Sequence, residues 1–198
     1  MQRRIHVIKD PEVAKLLADD TRRRMLHLLR HHEMSATGLA KALEKNHSSI
    51  VHHLHLLKEA ELIEETRTQQ VRNMVQSYYR SVAGRFMVSY SLSEALAEND
   101  NYTAWQEEVQ QRVIDGLGSF GLEFPEGERE KVEELIAVIS RLRRRAFEET
   151  VENQDNPKEL GRHVYHSLVR LVTNLKLVQD LDYASAQDEL NAILTPRE

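Results

Sequence analysis

One stretch of the chain gathers short polar and imidazole side chains at what reads as the start of a helix: His47-Ser48-Ser49-Ile50-Val51-His52-His53. Base edges lie deep in the major groove of a duplex, so short donors and acceptors near a helix N-terminus are suited to reach them, and the amides of that terminus attract phosphate. In such an arrangement His47, Ser48 and Ser49 face base edges or phosphate. Val51 would meet a thymine methyl, and His52 would donate or accept at a base edge or a phosphate. A second set, Arg67, Gln69, Gln70, Arg72 and Asn73, mixes cations and amides within a few residues. It suits phosphate or minor-groove contacts, which set affinity and register more than sequence choice.

The elements that position these residues are legible from caps and periodicity. Asp10-Pro11 reads as a cap with proline at the first helical position, and Val13, Leu16 and Leu17 follow at helical spacing. Asp20 precedes a second helix with Met25, Leu26, Leu28 and Leu29 on its apolar side, ending near His31. Ser35 caps a helix of barely two turns, residues 36–43. After the break Glu44-Lys45-Asn46, residues 47–60 form a longer helix with Ile50, Leu54 and Leu57 on one face. A short helix, a tight turn and a longer helix make a helix-turn-helix. From Leu62 the helical stripe stops. Residues 62–68 and 74–82 are rich in Thr, Val, Ile and Tyr, which predicts a β-hairpin, with Gln69 to Asn73 at its tip. The tip has neither Gly nor Pro, so its turn type is open and a long, mobile loop is expected. Alternation of Phe86, Val88, Tyr90 and Leu92 with polar or smaller residues suggests a third strand.

Beyond Ser93 the pattern is helical: roughly 103–116, 126–152, 158–181 and 183–194, with breaks at Gly116 to Pro125 and at Asn153 to Pro157. Val132, Leu135, Ile136, Ile139, Leu142, Ala146 and Phe147 form one stripe. Leu160, Val164, Leu168, Leu171, Leu175 and Val178 form another. These stripes bury each other as an antiparallel hairpin, or they bury a partner subunit; the spacing serves both.

Charge separates the two halves. Residues 1–90 hold 15 Lys and Arg against 10 Asp and Glu, a balance of +5, whereas residues 91–198 hold 12 against 22, a balance of −10. Eight of the ten histidines lie in the basic half, where nearby phosphates would favour their protonation. Such asymmetry suggests nucleic acid on one side and a different partner on the other. The absence of cysteine removes disulfides, thiolate metal ligands and a cysteine nucleophile. No apolar run reaches membrane-spanning length and the start lacks a signal-peptide core, so a cytoplasmic protein without a membrane partner is expected.

Residues 13–82 resemble the winged-helix domain of the ArsR-type regulators. Leu17-Ala18-Asp19-Asp20-Thr21-Arg22-Arg23-Arg24-Met25-Leu26 is similar to that family's second-helix signature, with Asp20 where a proline is usual. Ser49-Ile50-Val51-His52-His53-Leu54, followed by Leu57-Lys58-Glu59-Ala60 and Leu62-Ile63, is similar to its recognition helix running into the wing. The resemblance implies a sequence-specific transcriptional regulator, a repressor by default. It fails at the metal-binding cysteines many members carry on the short helix, since residues 36–43 contain neither thiol nor histidine.

Other residue patterns carry less. Ile50, Leu54 and Leu57 belong to the core, and His53 beside them is read as packing rather than DNA contact. Arg22, Arg23 and Arg24 read mostly as a solvated face. Glu159, His163 and His166 project from one side of a helix at i, i+4 and i+7, the only candidates for a metal, but an exposed polar face is the better account. Arg144 with Glu148 and Arg145 with Glu149 are spaced as i,i+4 ion pairs. Arg143 lies along the apolar stripe, where a snorkelling side chain is expected rather than a buried one. No phosphate loop, nucleophile elbow or zincin motif is present, so neither an enzyme nor a cofactor is expected.

The expected architecture is mainly α: a winged helix-turn-helix domain with a small β-hairpin wing at 1–92, and a helical dimerisation or effector domain at 93–198. Double-stranded DNA, a second copy of the chain and an unidentified small-molecule effector are the expected partners. A homodimer on a palindromic operator follows because one recognition helix reads only a few base pairs. The rival reading is an assembly module whose winged helix no longer binds DNA.

Overall fold

Side-chain caps decide where the first helices begin. In the computed structural model, which describes residues 4–71, 73–154 and 160–196, the Asp10 carboxylate accepts from the Glu12 amide at 2.8 Å and Pro11 opens α1 (Pro11–Leu16). The cap of α2 (Asp20–His31) is Asp19, which accepts from the Arg22 amide at 2.8 Å. Asp20, read from sequence as the cap, is the first helical residue instead. The Ser35 hydroxyl caps α3 (Ala36–Leu43) through the Gly38 amide at 3.2 Å. That helix stops at Glu44, whose φ of 54° is left-handed. Asn46 caps α4 (His47–Glu59) by accepting from the Ser48 amide at 3.0 Å. Met25 and Leu29 of α2, Leu39 and Leu43 of α3, and Ile50, Leu54 and Leu57 of α4 are buried. Such burial of apolar stripes, rather than helix propensity, holds segments this short in place.

The wing follows directly. Strands β3 (Ile63–Val71) and β4 (Met74–Ser81) pair antiparallel, with a register shift between Glu65 and Arg67. Val71 pairs with Met74, so two residues join the strands and the expected long loop is corrected to a short connection. A two-residue strand, β2 (Met34–Ser35), lies on the other side of β4 and completes a sheet of order β2-β4-β3. The third strand expected at 86–92 is shorter and differently placed. Its extended part, β5 (Phe86–Val88), pairs in parallel with β1 (His6–Ile8), which sequence periodicity did not reveal. Residues Tyr90–Leu92 turn into a single 3₁₀ turn, because the Ser89 hydroxyl accepts from the Ser91 amide at 3.2 Å and ends the extended run.

Packing divides the chain into one unit up to Tyr102 and another from Thr103. The short helix α5 (Ser93–Ala97) packs on α1 within the first unit, and α6 (Asp100–Asp115) runs across the division. The second unit is built on α7 (Arg129–Glu152), against which α8 (Arg162–Val178) and α9 (Leu181–Ile193) pack. Its core has two parts. Ile114 of α6 meets Val132 and Ile136 of α7 together with Leu190 and Ile193 of α9. Leu142 and Ala146 of α7 meet Leu177 and Tyr183. A residue pair of strands, β6 (Leu122–Glu123) with β7 (Thr195–Pro196), interrupts what sequence presented as entirely helical beyond Ser93. The protein is mainly α, with a winged helix-turn-helix followed by a helical module.

Helix α8 does not bury its stripe against that of α7, the first of the two arrangements the spacing allowed. Its face toward the unit's interior is Tyr165, Val169, Thr173 and Leu177, all buried. The stripe of Val164, Leu168, Leu171, Leu175 and Val178 lies on the opposite face and is exposed. Both sets recur at helical spacing, so periodicity alone could not choose between them.

Candidate nucleic-acid interface

Helix α4 is the second helix of the motif, and its two sides are chemically distinct. Ile50, Leu54 and Leu57 lock it to α2 and α3, while His47, Ser48, Val51 and His52 are exposed and Ser49 is half-buried. Helical geometry puts Ser48, His52 and His55 at i, i+4 and i+7 on the outward side. His55 belongs to this face, and the sequence reading missed it. Its spacing from Ser48 and His52 was the available signal. Its Nδ1 lies 3.0 Å from Glu59, one turn on.

Ser48 does two things at once. Its amide and its hydroxyl both donate to Asn46 Oδ1, each at 3.0 Å, which fixes the hydroxyl proton toward the cap and leaves the oxygen's acceptor capacity facing outward. His53 sits on the flank of the buried face, and its Nδ1 is buried without a hydrogen-bond partner among the described residues. Burial pushes the imidazole pKa below its ordinary value. Arg22, His52 and Lys45 add to that push and Asp19 opposes it. His53 therefore packs on the flank of the core face, where burial disfavours its charged form.

On the wing, Arg67, Gln69, Gln70 and Asn73 are exposed, and Arg72 lies outside the described residues. Arg67 is held in place: its guanidinium lies 3.6 Å from the Tyr78 ring centroid, its Nε donates to Glu33 at 3.2 Å, and it donates to the Gln69 side chain at 3.2 Å. Lys58 at the end of α4 pairs with Glu65 of β3 at 3.0 Å, and Ser77 donates to the same carboxylate at 3.0 Å. These two hydrogen bonds hold Glu65 below the usual carboxylate range, and the bond to Glu65 raises Lys58. The recognition helix and the wing are thus tied at their shared corner. Arg24 of α2 is exposed, while Arg22 and Arg23 turn back to backbone carbonyls of the α1 region.

The second unit's candidates fare differently. His163 and His166 are exposed and Glu159 lies outside the described residues. Among the described residues no group of His, Asp and Glu converges on a metal position. Arg143 is exposed, as a snorkelling side chain would be. Arg145 pairs with Asp180 and Glu149 with Lys176, so the expected Arg145–Glu149 pair is replaced by cross-helix partners that join α7 to the end of α8. No helix among the described residues is long and apolar enough to cross a membrane.

A capped short helix, a longer helix with a polar outward face and an adjoining antiparallel wing define a winged helix-turn-helix in the N-terminal unit. Residues 19–65 match the family described as bacterial regulatory protein, arsR family. The chain is also similar to the transcriptional repressor SdpR of Bacillus subtilis (strain 168), 41% identical over 58 residues that make up 29% of this chain. That match spans 64% of the length of SdpR. Among solved structures, M.tuberculosis Rv0081 aligns with 52% of this chain and 87% of its own, at 22% identity and a TM-score of 0.32.

Proposed function

We propose that the protein is a sequence-specific, DNA-binding transcriptional regulator, acting as a homodimer on a palindromic operator. The observation that carries this reading is the outward face of α4. Ser48, Val51, His52 and His55 stand exposed on a helix whose other side is locked into the core, the geometry a recognition helix needs to enter a major groove. Ser48 and His52 supply base-edge contacts and Val51 a methyl contact, with His47 and Ser49 beside them at the N-terminus. Arg67, Gln69, Gln70, Arg72 and Asn73 on the wing supply phosphate or minor-groove contacts.

In this account the unit up to Tyr102 is the DNA-binding domain and the unit from Thr103 the dimerisation or effector domain, a division ten residues beyond the 92/93 boundary expected from sequence. The family match and the similarity to a named repressor support regulation of transcription, with repression as the default mode. A small molecule bound to the acidic helical half would modulate occupancy, and a cytoplasmic location fits that role. Neither motif nor geometry supports catalysis.

Selection of duplexes from a random pool, followed by salt titration of the enriched sequence, tests the proposal. A palindromic consensus is expected, with half-sites about one helical turn apart and affinity that falls steeply with salt. Failure to enrich any sequence, with weak salt dependence, would replace this reading with the assembly-module alternative.

A further inference from the structure

Helix α8 is apolar on two opposite faces, and only one is covered. Taking 100° per residue, Tyr165, Val169, Thr173 and Leu177 centre on the side that packs against α7, and the exposed stripe centres on the far side. Val164 is 49% exposed, Leu168 41%, Leu171 54%, Leu175 56% and Val178 78%. Their spacings of four, three, four and three are the heptad seam of paired helices, narrower than the stripe of a helix lying on a globular core. A helix apolar on both sides belongs in the middle of a larger bundle.

Resting on the homodimer reading above, we propose that this seam is where the two subunits meet, α8 of one copy packing against α8 of the other. Charge argues for a second copy as the occupant. Residues 91–198 carry 22 acidic side chains, yet residues 160–179 contain none. The positions bordering the seam are Ser167, Asn174 and Gln179, with Val172 extending it on one side. Two copies of so acidic a half repel each other at most faces, and they meet here without opposed carboxylates. The Lys and Arg residues between Val164 and Val178, Arg170 and Lys176, lie off the seam, and Lys176 is paired with Glu149 of α7.

Area agrees. Six side chains, the seam with Val172, expose roughly 70 Å² of apolar surface each, on the order of 400 Å² per copy. That is the size of the largest patch on a typical soluble monomer, about 300–600 Å², a patch that is often functional. It is also about the apolar core of an interface of ordinary size, near 800 Å² per partner, with the polar border supplying much of the rest. Two α7–α8 hairpins joined this way form a four-helix bundle with Leu171 close to the two-fold axis.

The lack of native cysteine gives a clean test in the full-length chain. Leu171→Cys introduces a single thiol, and mild oxidation should yield a disulfide-linked dimer, whereas Arg170→Cys, beside it but off the seam, should not. In parallel, the double substitution Leu171→Glu with Leu175→Glu should lower the sedimentation mass from twice the 23.0 kDa of one chain to a single chain at micromolar concentration. If wild type is dimeric and the double variant stays dimeric, with equal cross-linking from both thiols, the α8 seam is overturned while the homodimer stands. A monomeric wild type overturns both.

Discussion

The side-chain amide of Gln76 donates to the hydroxyl oxygen of Ser35 at 2.7 Å, and that same oxygen accepts from the Gly38 amide to cap α3. One oxygen therefore joins a strand of the wing to the first helix of the helix-turn-helix. Ser35→Ala removes the cap and strands the Gln76 amide in a half-buried position. A loss of about 1 kcal/mol is expected from the cap alone. The amide makes the loss larger than that of Gln76→Ala. Urea unfolding of the two single variants and the double variant measures the coupling, and strict additivity would show that the two hydrogen bonds act independently.

Gly38 is the third residue of α3, and a β-carbon there would meet Ser35 Oγ at 3.6 Å and Met34 Cε at 3.7 Å, ordinary contact distances. Gly38→Ala should therefore stabilise the N-terminal unit by about 0.5–1 kcal/mol, since it narrows the unfolded ensemble at no steric cost. Thermal unfolding reads this as a raised midpoint. A lowered midpoint would mean that α3 requires a closer neighbour than the structure places there.

His53 gives stability a pH dependence whose sign can be worked out. Its pKa is lowered in the folded protein, so at acidic pH the unfolded chain binds the proton more readily and protonation pulls toward unfolding. Its contribution is intact above the ordinary imidazole value of about 6.5 and is lost as pH falls through that value toward the lower folded one. His53→Leu also removes the unpaired buried Nδ1, so it should add about 1 kcal/mol at neutral pH and flatten the acid limb. Denaturation midpoints between pH 5 and 8 decide the matter: parallel curves for wild type and variant would remove His53 as the cause.

The outward face of α4 and the wing should separate in DNA-binding assays. Ser48→Ala and His55→Ala are expected to alter preference among bases, with losses of about 1–3 kcal/mol on the cognate site. Arg67→Ala should weaken cognate and random duplexes alike and reduce the salt slope by about 0.9. Arg67→Lys keeps the charge and the slope but gives up the fit over Tyr78. Loss of base preference on changing Arg67, with none on changing Ser48, would reverse the assignment of the two elements.

Wherever a local signal existed, the N-terminal unit was legible in the sequence. Ser35 is a cap because its hydroxyl can reach an amide three residues on, and Ile50, Leu54 and Leu57 mark a core face because three or four residues is one turn. Asp19 and Asp20 are equally good caps on paper, and geometry chose the first. The pairing of β1 with β5 was invisible for another reason: each strand is three residues long and they are about 80 residues apart, too short for periodicity and too distant for turn chemistry. His55 lies two turns into α4, beyond the N-terminal turn whose short polar residues are the local signal for base contact. In α8 the signal was ambiguous rather than absent. Two apolar faces recur at helical spacing, and only packing against α7 identifies the inner one.

The parallel strands His6–Ile8 and Phe86–Val88 hold an early and a late segment of the N-terminal unit side by side. A clasp between segments about 80 residues apart in sequence ties the helix-turn-helix and wing that lie between them. Removing residues 6–8 would therefore leave Phe86–Val88 without their strand partner.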